Sequence, residues 1–173
     1  MASVEVLKKA DLFKSLSDEQ LKAIAKLGQE RNFKAGQKIF KQDEKAKTLY
    51  VLLDGAVHLI FTLGTEAQEE TDLAVETLDQ TGSVFGTAAL MSPYLYNVTA
   101  RCSQSTRALA IDSVGFREII QREPIIGFEV MTKLAQIYFD RLNATRTAIT
   151  NLFKTFKFQT GKPKAPGTRR QAK

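Results

Sequence analysis

Side chains that commonly do chemistry are scarce in this sequence. It has one histidine, His58, and one cysteine, Cys102. A lone histidine cannot build a histidine metal cluster, and a lone cysteine can make neither an internal disulfide nor a multi-cysteine zinc site. No Ser-His-Asp or Cys-His arrangement is supported, because the single histidine cannot be placed beside a nucleophile. No catalytic residue and no metal ligand is assigned, and an enzyme is not expected. His58, between Val57 and Leu59, is expected to face solvent from a strand. Cys102 falls in an apolar alternation and is expected to be a small core residue. The segment with most to offer is VFGTAALMSPYLYNVTARC, residues 84–102, where Gly86 lets the backbone approach a ligand closely.

The rest of the chain must position that segment. At 173 residues, with 43% hydrophobic and 25% charged residues, it fits one globular domain with a short appendage. The formal charge of +6 is concentrated at the end: seven basic residues and no acid lie between Lys154 and Lys173, leaving 18 basic against 19 acidic residues elsewhere. The tail GKPKAPGTRRQAK is expected to be disordered, being rich in Gly, Pro and charge. It could make non-specific phosphate contacts, bind an acidic protein or an anionic membrane surface, or simply solubilise. No apolar run reaches the roughly 18–20 residues that cross a bilayer, and the opening MASVEVLKKADLF has no leader-like pattern. A cytoplasmic location is expected.

Ser17 followed by Gln20, flanked by Leu16 and Leu21, predicts a capped helix running to about Leu27, after a shorter helix over Val4–Lys9. From Phe33 to Ile111, short β-branched, aromatic and leucine segments separated by glycines predict a sandwich or β-roll. Asp54-Gly55 predicts a two-residue hairpin with positive φ at both turn positions. Val98, Ala100 and Cys102 alternate with polar residues as in a half-buried strand. Glu66, Glu69 and Glu70 suggest an exposed hairpin loop. After a short helix over Phe116–Gln121, Pro124 can open a long one. There Phe128, Ala135, Leu142, Ile149 and Phe156 recur every seven residues, and Met131, Tyr138, Thr145 and Leu152 follow three behind the first four. A helix of about 30 residues would span some 45 Å, so part of it is expected to pair with a second copy.

This order of elements, with the segments ADLFKSLSDEQLKAIAKL, AGQKIFKQDE, LYVLLDGAVHLI, LDQTGSVFGTAAL, FREIIQREP and KLAQIYFDRL, resembles the cyclic nucleotide-binding domain family. That family includes the catabolite activator type regulators and the regulatory subunits of cyclic-nucleotide-dependent kinases. The resemblance covers about Val4 to Leu142. It implies a phosphate-binding cassette: a Phe-Gly-Glu turn opening a short helix, small residues, then an arginine about ten positions after the glycine. Here the cassette would comprise Phe85, Gly86, Thr87, Ala88, Ala89, Tyr96 and Asn97. The N–H groups of Thr87, Ala88 and Ala89 would point at a phosphate from a helix N-terminus. Thr87 stands where the acid that holds the ribose hydroxyl is usual, and Tyr96 where the phosphate-pairing arginine is usual. Arg101 cannot substitute, because five residues along a strand places it on the opposite face from Tyr96. One extra residue lies between Leu78 and Gly82, and Ser83 stands where an acid often follows the glycine.

The expected fold is α+β, a β-roll of the double-stranded β-helix or jelly-roll type flanked by N-terminal helices and a long C-terminal helix. Residues 1–153 would form the cyclic nucleotide-binding-like domain, including the long helix from about 124, and residues 159–173 the basic tail. The expected function is that of a regulatory module. It would sense a nucleotide-like ligand (cAMP, cGMP or a cyclic dinucleotide, bound weakly or not at all) and signal through a homodimer helix bearing Met131, Ala135, Tyr138, Leu142, Ile149 and Leu152. Two alternatives remain open: a ligand-independent scaffold for a protein partner not yet identified, and a non-specific nucleic-acid binder acting through the tail. Sequence-specific DNA binding is not expected, because too few residues follow the long helix for a helix-turn-helix domain.

Overall fold

The structure is a computed structural model that describes residues 2–63 and 71–159. Two helices open it, α1 (Ala2–Lys9) and α2 (Asp18–Ala25), separated by a 3-10 turn over Asp11–Phe13. The start of α2 is the expected capping box: Ser17 Oγ accepts from the Gln20 N–H, and Gln20 Oε1 accepts from the Ser17 N–H. Each bond satisfies a donor that the first turn leaves unpaired.

Eight strands follow: β1 (Gly28–Phe33), β2 (Lys38–Phe40), β3 (Thr48–Asp54), β4 (Val57–Leu63), β5 (Thr71–Leu78), β6 (Val84–Phe85), β7 (Thr99–Cys102) and β8 (Thr106–Asp112). They form two four-stranded antiparallel sheets, ordered β1-β8-β3-β6 and β2-β7-β4-β5. The β-roll expected from the strand spacing is therefore present. Tyr50 and Leu52 of β3, with Ala108 and Ala110 of β8, point into the cluster between the sheets, where they meet Phe40, Leu59, Phe85 and Ala100. Leu49, Val51, Leu109 and Ile111 alternate with them and are fully buried as well. Both faces of β3 and β8 are thus covered, which explains the unbroken apolar runs YVLL and ALAI. Phe13 and Phe116 meet edge to face at 5.8 Å.

The Asp54-Gly55 segment differs from expectation. Gly55 has φ +94° but Asp54 is not in the positive-φ region, and β3 and β4 belong to different sheets. The segment is a corner that passes the chain from one sheet to the other. A Cβ on Gly55 would lie 2.5 Å from the Ser105 carbonyl oxygen, so glycine is needed for close approach as well as for φ. The acidic residues Glu66, Glu69 and Glu70 lie outside the described residues, whereas Asp72 and Glu76 stand on β5.

Helix α3 (Ser113–Arg122) is capped by Asp112, whose carboxylate accepts from the Gly115 N–H. It gives way at Glu123 to α4 (Pro124–Gln159), 36 residues and about 54 Å long. One compact unit of the chain ends at Leu134 and a second begins at Ala135. Within the first, Ile126, Val130 and Leu134 of α4 recur every four residues and are buried. In the second, the apolar side chains described, up to residue 154, are largely exposed. The basic tail beyond Gln159 lies outside the described residues. Among the described residues no helix is long and apolar enough to cross a membrane.

Candidate functional site

The segment that sequence reasoning singled out starts where β6 ends. Phe85 pairs with Tyr50 of β3, and then Gly86, at φ +72° and ψ +23°, turns the chain into a short 3-10 helix over Thr87–Leu90. A Cβ on Gly86 would lie 2.9 Å from the Thr48 carbonyl oxygen and 3.3 Å from Tyr96 Cε1. Conformation and space both require glycine there.

One feature of the expected cradle is absent. The N–H of Ala89 donates to the Gly86 carbonyl at 3.0 Å, so it is spent inside the turn and does not point outward. The cause is the tighter 3-10 winding, which bonds each N–H three residues back and engages donors one position earlier than an α-helix does. Thr87 and Ala89 are buried, Ala88 is half-buried and Asn97 is exposed.

Tyr96 points inward. Its ring lies on Phe40, with centroids 3.7 Å apart and planes 13° from parallel. Phe40 also stacks on Tyr50, and Tyr50 stacks on Phe85 at 5.1 Å. Four aromatic rings therefore fill the space between the sheets beneath the cassette. The Tyr96 hydroxyl donates to the Thr48 carbonyl at 2.8 Å and accepts from the Thr48 N–H at 3.2 Å. Burial, and secondarily the neighbouring Tyr50, pushes the Tyr96 hydroxyl pKa up to about 12; burial raises that of Tyr50 too. Arg31 is near enough to Tyr50 for its charge to oppose that rise. Among the described residues, no buried side-chain nitrogen or oxygen lacks a hydrogen-bond partner.

The strap that carries Tyr96 is fixed by backbone bonds to the turn before β3. Ala46 N–H donates to Tyr94 O, Tyr96 N–H to Glu44 O, and Asp43 N–H to Tyr96 O. Tyr94 is exposed, at φ +59°, and the guanidinium of Arg117 lies over its ring, 4.5 Å from the centroid. Arg117 Nη1 also donates to the Ala89 carbonyl. Arg117 was not legible as a site residue, because one of its partners is a backbone carbonyl 28 positions away.

The other candidates stand apart from this site. Arg101 pairs with Asp72 at 3.7 Å on the outer surface. His58 Nδ1 lies 2.9 Å from Thr77 Oγ1 across β4 and β5. Cys102 is buried, and burial raises its thiol pKa. No group of three or more His, Cys, Asp and Glu among the described residues could hold a metal ion. An open groove of about 510 Å³ near Lys34, Asp54 and Arg107 contains none of the cassette residues.

On the helix, Phe128 and Leu142 are 70% and 57% exposed, Ile149 and Leu152 are exposed, and Met131 and Tyr138 are half-buried. Phe139 and Phe153, at 59% and 65%, are exposed as well. With Ala135, Leu142 and Ile149 they follow a 4-3-7-4 spacing, an apolar stripe within the second unit.

Comparison with known proteins agrees with this architecture. The sequence model of the cyclic nucleotide-binding domain matches residues 30–123. A solved candidate cyclic nucleotide-binding protein from Geobacter metallireducens GS-15 is 32% identical, with a TM-score of 0.68 over 82% of this chain and 99% of that one. A CRP-like cAMP-activated global transcriptional regulator of Mycobacterium tuberculosis is 24% identical over 87% of this chain and 63% of its own length. A potassium channel of Oryza sativa subsp. japonica is 28% identical over 80% of this chain and 16% of its own. The matched stretch is thus less than two thirds of either curated relative.

Proposed function

The chain belongs to the cyclic nucleotide-binding domain family, and on that premise we propose that it is a non-enzymatic regulatory module whose ligand specificity differs from that of a cAMP or cGMP receptor. The observation behind this reading is the seating of Tyr96. At the position where the resemblance implies a phosphate-pairing arginine, the chain places a neutral ring stacked on Phe40 and hydrogen-bonded to Thr48. A cyclic phosphate entering the cassette would find a phenol in place of a guanidinium, and Thr87 in place of a carboxylate. Two missing charge-assisted hydrogen bonds weaken binding by roughly a hundredfold to ten-thousandfold.

Calorimetric titration with cAMP, cGMP and cyclic di-GMP tests this. The expected result is millimolar binding or none by the natural chain. With Tyr96→Arg and Thr87→Glu together, cAMP or cGMP affinity should rise at least about tenfold as the charged anchors return. Submicromolar binding of cAMP or cGMP by the unaltered chain would overturn the reading.

Output in this proposal runs through α4. The exposed stripe from Ala135 to Phe153 repeats with the heptad spacing of a paired helix, and a second copy of the same helix supplies the matching surface.

One observation favours a second reading, a module that keeps the fold and acts through protein partners without any ligand. The aromatic cluster is filled and its buried side-chain polar atoms are satisfied by the chain itself. Absence of heat with all three nucleotides, together with an undiminished partner interaction in Gly86→Trp, would select this reading over the sensor.

A further inference from the structure

Arg117 joins three segments that come from different parts of the chain. On α3, its Nη1 is shared between the Ala89 carbonyl and Ser113 Oγ, the latter at 3.1 Å. The central carbon of its guanidinium lies over the Tyr94 ring. Ser113 is itself fully buried, and its N–H donates to the Lys47 carbonyl at 3.1 Å, one residue before Thr48. The Ala89 carbonyl lies in the last turn of the short 3-10 helix, where carbonyls lack partners within the helix. Arginine suits the place because one side can hydrogen-bond while the flat face lies on an aromatic ring; lysine offers only the first.

The two cassette contacts of Arg117, Ala89 and Tyr94, both lie on the segment that leads from Gly86 to Tyr96. Ala89 lies on the helix whose first residue follows Gly86, in contact range of the Tyr96 ring, and Tyr94 lies two residues before Tyr96 on the strap. We propose that Arg117 is the positioning residue through which the seating of Tyr96 is transmitted to α3, and so to the start of α4 at Pro124. A shift of Tyr96 away from Thr48 moves the strap and the cassette helix, and the clamp carries both displacements to one guanidinium. The proposal rests on the family reading only in treating the cassette as the part that responds, and it needs no nucleotide.

The test is amide hydrogen exchange on the full chain in four forms: natural, Tyr96→Phe, Arg117→Met, and both together. Tyr96→Phe keeps the ring and removes the bonds to Thr48. It is expected to speed exchange about tenfold in the cassette, residues 86–91, and in α3, residues 113–122. In the Arg117→Met background the cassette should still respond, while the response in α3 falls below about twofold. A general structural role for Arg117 would accelerate α3 without changing its dependence on Tyr96. If α3 responds to Tyr96→Phe equally with and without Arg117, or responds in neither background, the proposal is overturned. Should Arg117→Met fail to fold, Arg117→Leu, which likewise removes both the hydrogen bonds and the charge, takes its place, and an undiminished α3 response there overturns it too. No nucleotide is added, so failure to bind cyclic nucleotides leaves the result interpretable.

Discussion

The Tyr96 hydroxyl bonds both backbone groups of Thr48, donating to its carbonyl at 2.8 Å and accepting from its N–H at 3.2 Å. Leu52, four residues along β3, makes the equivalent pair of bonds to the backbone of Ser83 and Gly82, and Tyr50 pairs with Phe85. At Gly86 the neighbouring strand leaves. A side-chain hydroxyl therefore stands in for the next residue of β6 and completes the edge of β3.

Removing that hydroxyl should cost stability out of proportion to one oxygen atom. Tyr96→Phe keeps the stack on Phe40 but leaves two backbone groups of Thr48 without their partner, so a loss of about 1–3 kcal/mol is expected. Urea unfolding measures it, and a midpoint equal to that of the natural chain would contradict the strand-substitute role.

The same residue makes the fold sensitive to base. Tyrosine ionises near pH 10 in an unfolded chain, whereas burial holds the Tyr96 hydroxyl to about 12. Between these values the unfolded chain gives up a proton that the folded one retains. The stabilisation is thus whole below pH 10 and is lost as pH climbs toward 12, by at most about 1.4 kcal/mol per pH unit. Tyr50, raised in the same direction, adds to the slope. Unfolding midpoints from pH 8 to 11.5 should fall less steeply in Tyr96→Phe, and parallel slopes would refute the assignment.

Two glycines separate strain from crowding. Gly36 and Gly86 have φ of +78° and +72°, but nothing lies within 4 Å of a Cβ on Gly36, whereas one on Gly86 meets Thr48 and Tyr96. Gly36→Ala should cost about 1 kcal/mol through conformation alone. Gly86→Ala should cost a further 1–3 kcal/mol or so, because the aromatic cluster must shift. Equal losses in thermal unfolding would show that the cassette is looser than the contacts indicate.

Cys102 should be chemically silent in the folded chain. Its side chain is buried on β7 and its thiol pKa is raised, so little thiolate is exposed to reagents. Labelling by a maleimide is expected in urea and not in buffer over an hour; rapid labelling in buffer would mean that β7 opens readily.

Phe139 and Leu142 test the role of α4. Both are exposed, so Phe139→Lys with Leu142→Lys should leave the thermal midpoint of the body within a few degrees. Sedimentation is expected to show a dimer for the natural chain at tens of micromolar and a monomer for the variant. A monomeric natural chain would remove the pairing proposal.

The sequence disclosed best what local chemistry decides. Ser17 and Gln20 specify their cap without help from elsewhere, and Pro124 opens its helix where a missing N–H is harmless. Asp54-Gly55 misled because a turn signal reports the bend and not the sheet that receives the next strand. The Ala89 N–H misled because small residues after a glycine do not distinguish a 3-10 turn from an α-helix. On α4 the spacing of Met131, Tyr138 and Leu152 does not show that the first two are half-buried and the third exposed, nor that Phe139 and Phe153, four residues on from Ala135 and Ile149, are exposed as well. Which side chains of a helix are buried is a matter of packing, as at Ile126, Val130 and Leu134, and spacing alone does not show it.

The pairing of β1 with β8 has a consequence for how the protein is made. Gly28 and Ile111 are register partners 83 positions apart, and inside that closure Lys38 partners Arg101. At about 5–20 residues per second of synthesis, β1 waits roughly 4–17 s on the ribosome before its neighbour exists. The cassette, β6 and the Tyr96 strap are all translated within that interval. The nascent chain must therefore carry unpaired strands of a slow-closing, high-contact-order topology until the last strand emerges, and chaperone demand should be greatest over that stretch.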